Sequence, residues 1–104
     1  MYKIGFYVPD AHVEPVKQAM FAAGAGRIGN YDSCCWQSQG QGQFRALDGS
    51  QPFVGQRGLV ECVPELRVEM VCEEPVLQAA ISALRATHPY EEPAFDVVKL
   101  ESVD

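Results

Sequence analysis

Two histidines, one tryptophan and eight basic residues are all that this 104-residue chain supplies of those types. Each shortage excludes something. None of the four cysteines stands in a Cys-x-x-Cys pair, so neither a zinc knuckle nor a redox dithiol is written here. Cys34 and Cys35 are adjacent, Cys62 and Cys72 stand alone, and all four are expected as reduced thiols packed like small hydrophobes. No apolar run approaches the roughly 20 residues that a bilayer-crossing helix needs. Met1–Pro9 lacks the basic flank and long apolar core of a secretory signal. A cytoplasmic protein with no membrane attachment is therefore expected. Eight basic residues against 14 acidic ones leave a net charge of −6, which repels phosphate backbones and argues against a nucleic-acid partner. No serine sits in a nucleophile elbow, and there is no repeat, linker or low-complexity segment.

What is present reads as one domain over residues 1–104, long enough for a single modest core. Residues 2–8 alternate and are rich in Tyr, Ile, Phe and Val, a strand stopped by Pro9-Asp10. Val13, Val16, Met20 and Ala23 recur at helical spacing, with Pro15 in the first turn and Gly24 and Gly26 as the stop. A glycine-rich stretch follows. Asp32–Gln39 and Gln43–Leu47 are short strand candidates around Gly40-Gln41-Gly42, which is expected as a hairpin turn. Trp36 is read as a core or interface aromatic and the adjacent cysteines as buried strand residues. Leu59–Val71 alternates as a half-buried strand, with Pro64 marking a bulge or an interruption. Pro75 opens a second helix whose stripe is Leu77, Ala80, Ile81 and Leu84. Pro89 ends it, Ala94–Leu100 is the last strand, and residues 101–104 should fray. This order predicts an α+β, ferredoxin-like (βαββαβ) sandwich with an inserted β-hairpin and two helices on one face of an antiparallel sheet.

Three places carry chemistry-bearing residues. Gly24-Ala25-Gly26-Arg27-Ile28-Gly29 spells the dinucleotide fingerprint, but it follows a helix and leads to a strand. The fingerprint needs the reverse, a strand feeding a helix amino terminus. The segment reads as a helix stop, with Arg27 and the loop amides as a weaker anion site. His88-Pro89-Tyr90-Glu91-Glu92-Pro93 sets an imidazole, a phenol and two carboxylates between prolines that stiffen the backbone, with Asp96 just beyond. His88, Glu91 and Glu92 would suit a divalent ion, the one cofactor these residues imply. Yet Glu91 and Glu92 are neighbours and, if extended, point to opposite sides. His88 past a helix end also has a plain structural reading, bonding the last carbonyls. His12 is expected on the surface. Cys34 has no nearby cation to activate it.

Four ordered pieces carry a family resemblance: Gly24–Cys34, Gly40–Phe44, Pro52–Gly55, and His88–Ala94 followed by Phe95-Asp96-Val97. From about Tyr2 to Lys99 the chain resembles the accessory domain of the Nif-three (YqfO-like) family, which is similar to CutA and PII modules. In the larger members this segment lies between two lobes that supply the ligands of a two-metal centre. No His-His-Pro segment is present here, so that chemistry carries over to no residue of this chain. The matching positions are Gly24, Gly26, Gly29, Asn30, Tyr31, Cys34, His88, Pro89, Tyr90, Glu91, Glu92, Pro93 and Asp96. The resemblance implies a ferredoxin-like subunit that assembles through its sheet edges.

The expectation is a non-catalytic, oligomeric ligand-binding or regulatory module, a dimer or trimer, with no catalytic residue assigned. Its ligand, a small molecule or a metal ion, would meet His88, Tyr90, Glu91, Glu92 and Asp96, and secondarily Gly24, Gly26, Arg27, Gly29 and Asn30. The alternatives are a divalent-metal protein in the CutA manner and, less supported, a nucleotide hydrolase of the GTP cyclohydrolase type-two kind.

Overall fold

The computed structural model describes residues 1–103; Asp104, at the end of the segment expected to fray, lies outside the described residues. The elements are β1 (Tyr2–Pro9), α1 (Val13–Ala22), β2 (Trp36–Arg45), β3 (Val60–Cys72), α2 (Leu77–Thr87) and β4 (Phe95–Lys99). Short 3-10 turns at Asp10–His12 and Glu74–Val76 lead into the helices, the second with Pro75 in its opening turn. The four strands form one antiparallel sheet in the order β2-β3-β1-β4.

Pleat alternation divides the sheet into two unlike faces. Ile4, Phe6 and Val8 of β1 pair with Met70, Val68 and Leu66 of β3, and all six are buried. Val16 and Met20 of α1 and Ala80 and Leu84 of α2 close that core, in register with the helical stripes read from sequence. The ferredoxin-like sandwich, with both helices packed on one face, is as the element order predicts. Truncating the fully buried Phe6 to Ala would cost about 3–5 kcal/mol by the usual cavity rule.

The other face carries no helix, and there the sequence reading needs correction. Gly40-Gln41-Gly42 is not a turn. β2 runs straight through it, paired residue for residue with Glu65, Pro64 and Val63. The hairpin is β2–β3 itself, turned by residues 46–59. Pro64 causes no break in register, because there β3 has β2 on one side only and has passed the end of β1. Trp36 is 62% exposed, outside the core. Cys34 and Cys35 are half-buried in the loop before β2, Cys62 is exposed, and only Cys72 is buried. Because the β2–β3 hairpin overshoots β1, the molecule is elongated, 49 × 24 × 24 Å.

Candidate functional site

The helix-free face is built from odd-numbered positions of β1 and β3 and even-numbered positions of β2 and β4. In successive rows it reads Trp36–Glu69–Gly5–Asp96, Ser38–Arg67–Tyr7, then Gly40–Glu65–Pro9. Glycine takes a place on this face three times, and two of those places have an evident purpose. A Cβ on Gly5 would collide with the Arg67 guanidinium and lie 2.9 Å from Asp96 Oδ1; a Cβ on Gly42 would collide with the Glu65 carboxylate. The missing side chains let Arg67 and Glu65 lie flat across their neighbours. At Gly40 nothing lies within 4 Å of where a Cβ would stand.

That empty position is part of a cavity of about 530 Å³. Its floor is the open face of β2–β3, including Gly40, Gly42, Glu65 and Arg67. Phe53 and its neighbours, from the loop 46–59, form a second wall, and Tyr90, Glu91 and Glu92 form a third. The walls are tied together: the Gln51 amide donates to Glu91 Oε2 at 3.1 Å, and Phe53 meets His12 edge-on at 5.3 Å. Tyr90 lies 6.1 Å from Phe44 and 6.2 Å from Phe53, ring centre to ring centre. His12, expected on the surface, is half-buried behind this wall.

His88 is the pin that holds the elbow 88–94 to the sheet. It is only 6% exposed. Its Nε2 lies 2.7 Å from the Tyr7 carbonyl, and Nδ1 accepts from the Tyr90 amide at 3.0 Å. Both ring nitrogens are thus engaged by backbone, which assigns the proton to Nε2. Burial lowers its pKa below the usual histidine value; the Tyr7 carbonyl opposes that shift and His12 adds to it. The side chain does not cap α2, as the structural reading of the sequence had it. Only the backbone amide does so, donating to Leu84.

The charges sort themselves just as firmly. Arg67 donates Nη1 and Nη2 to the two oxygens of Asp96, both at 3.2 Å, and Nε to Glu69 at 3.1 Å, while its guanidinium lies 5.0 Å over the Tyr7 ring. Its bond to Asp96 pushes the guanidinium further above its ordinary value. Asp96 is thereby spent on Arg67. Glu65 and Tyr90 form the second pair. Burial raises the Glu65 carboxyl, with Tyr90 pulling it partly back, and burial plus the Glu65 charge push the Tyr90 phenol up to about 12. The Tyr90 hydroxyl is itself buried, without a partner in hydrogen-bonding geometry. Among the described residues there is no group of three or more His, Cys, Asp and Glu arranged to hold a metal ion.

The structure therefore gathers Tyr90, Glu91 and Glu92 at one cavity, places His88 and Asp96 behind and beside it, and sets the glycine-rich segment elsewhere. Gly26 bonds to Val71, six residues along β3 from Glu65 and so about 20 Å away. Gly24 and Gly26 take positive φ of 112° and 77° to turn the chain out of α1, and Gly29 (φ 56°) and Asn30 form a tight turn between Ile28 and Tyr31. Arg27 lines no part of the cavity. Sequence reasoning missed Glu65, Arg67, Phe44 and Phe53. The available signal was the glycines of β2, since a glycine inside a strand often marks close approach by another group.

No family model matches the chain. Over 94 residues it is 51% identical to a GTP cyclohydrolase 1 type 2 homolog of Mycobacterium leprae, covering 90% of this chain and 24% of that protein. It is 44% identical over 99 residues to the Bacillus subtilis protein of the same description, covering 95% and 26%. A Bacillus cereus protein related to NIF3 superimposes with a TM-score of 0.83 at 38% identity, over 97% of this chain and 26% of that one. The chain is related to the NIF3 family. It spans about a quarter of the length of the relatives it matches. CutA1 from Pyrococcus horikoshii shares the fold, with a TM-score of 0.71 at 15% identity over 100% of this chain and 87% of that one. The NIF3 relationship agrees with the motifs at Gly24–Cys34 and His88–Ala94, and the structure gives most of those motif residues architectural work.

Proposed function

We propose that the chain is a non-catalytic, oligomeric module that binds a small molecule in the cavity between the β2–β3 face, the loop 46–59 and the elbow 88–94. One observation carries this reading: a cavity of about 530 Å³ lined by aromatic rings and carboxylates, into which Gly40 leaves room. That volume lies within the range of ligand pockets, roughly 300–1,000 Å³, and the mix of apolar wall and few polar groups is theirs also. Assembly is supported by β2. Its outer edge is unpaired over ten residues and carries no charge before Arg45 and no proline, so it lacks the usual devices against edge pairing. The exposed Trp36 stands at its start. No described helix is long and apolar enough to cross a membrane.

The test is an amide-resolved NMR screen of the chain with GTP, zinc, copper, magnesium and a small-molecule fragment set, alongside light scattering for subunit number. Compounds that move the Gly40 and Gly42 amides, with movement lost in Gly40→Val, support the reading. Zinc or copper perturbing Glu91 and Glu92 first would favour the metal alternative. GTP turnover by the chain would overturn the non-catalytic assignment, and a fragment set silent at Gly40 would remove the site.

A further inference from the structure

We propose that the cavity takes an organic cation, an ammonium or guanidinium group carried on an apolar stem. This rests on reading the cavity as a ligand site and adds the class of ligand. The charges around the cavity are unequal. Glu65, Glu91 and Glu92 line it, and Arg67 is the one basic residue that does. The charge of Arg67 is already matched by two carboxylates, which take three of its five N–H donors. Its Nη1 and Nη2 are donated to Asp96, its Nε to Glu69, and its plane lies over Tyr7. A phosphate or carboxylate entering here would meet three carboxylates and no cation that is not already paired with a carboxylate. An inorganic divalent ion finds no cluster of three ligands among the described residues.

The apolar part of the wall points the same way. Phe44 and Phe53 both stand close to Tyr90, at 6.1 and 6.2 Å between ring centres. Aromatic faces carry negative potential and attract ammonium and guanidinium groups, the more so where water is excluded. Tyr90 lines this wall with its ring, since its hydroxyl is buried beside Glu65. Glu91 uses one oxygen on the Gln51 amide and keeps the other. Gly40 leaves open space above the floor, where the stem of the ligand would lie.

The experiment uses three ligands on one phenylethyl stem with three charges at pH 8: phenylethylammonium, phenylethanol and phenylpropanoate. Affinities are read from the Gly40 and Gly42 amide shifts of the full chain. The ammonium compound should bind at least about tenfold more tightly than the alcohol, and the carboxylate least of all. Glu65→Gln and Glu91→Gln, each checked for folding by thermal melt, should shrink that preference, and Gly40→Val should abolish binding of all three. Equal affinities, or preference for the carboxylate, would overturn the cation assignment while leaving the cavity as a site. Silence of all three ligands also overturns it, and the wider fragment screen then decides separately whether the cavity binds anything.

Discussion

Replacing His88 by alanine should unfasten the elbow from the sheet. The imidazole is buried and bonds two backbone groups, the Tyr7 carbonyl at 2.7 Å and the Tyr90 amide at 3.0 Å. A buried polar group left without its partner costs about 1–3 kcal/mol, so the pair should cost about 2–6 kcal/mol, less whatever water recovers. In urea, at an m-value of about 1–3 kcal/mol per M, the midpoint should fall by about 0.7 M or more. The pH dependence gives a second readout. The folded-state pKa of His88 lies below its unfolded value, so between the two the unfolded chain binds more protons. Wild-type stability is therefore intact above about pH 6.5 and is lost as the pH falls through the folded value. His88→Ala should flatten that slope. Glu65, with a raised folded pKa, acts in the opposite sense: its contribution is complete below about pH 4.5 and is lost as the pH rises through its folded value. The comparison is cleanest in a Glu65→Gln background. A cost under about 0.5 kcal/mol, together with an unchanged acid slope, would refute the view that His88 is a structural pin.

Gly5→Val should displace the Arg67–Asp96 pair and cost about 1–3 kcal/mol as overpacking, seen in chemical denaturation. Gly26→Ala should cost more than about 1 kcal/mol, because the residue holds φ 77° and a Cβ would lie 2.7 Å from the Phe21 ring; a melting temperature equal to wild type would contradict this. Gly40→Val, in contrast, places its Cβ in open space and exchanges glycine for a good strand former, so stability should hold or rise by up to about 1 kcal/mol even though the cavity fills. Arg67→Lys keeps the charge but loses the fork on Asp96, and a crystal structure of the variant should show Asp96 released from β3.

The parts of the fold that were legible in the sequence are those whose pattern is set by burial on one side. β1, β3 and both helices bury alternate or three-and-four-spaced residues, and Ile4, Phe6, Val68, Met20 and Leu84 fall where periodicity puts them. β2 was illegible because it buries almost nothing. Its Gly-Gln-Gly resembles a turn by local chemistry, and only the tertiary partners explain it: Glu65 lies over Gly42 and the cavity over Gly40. The site divides in the same way. Glu91, Glu92 and Tyr90 could be singled out, since a stiff polar connector announces itself in one stretch of chain. Glu65 and Arg67 could not, because on an alternating strand a charge that faces water and a charge that faces a cavity are written identically.

The same distinction bears on His88. A conspicuous imidazole between a helix and a proline invites a functional reading, and a chain with two histidines makes it more inviting. Both of its nitrogens are satisfied by backbone, so to bind an ion it would have to release Tyr7 or Tyr90 and leave a buried group unpaired. Tyr90 has the opposite character. It is placed by His88, its amide is used, its ring lines the cavity, and its hydroxyl is buried beside a carboxyl whose ionisation burial discourages. Function on this elbow is thus better sought in what the rivet positions than in the rivet itself, and a variant that spares His88 while altering Tyr90 or Glu65 is the one that separates binding from folding.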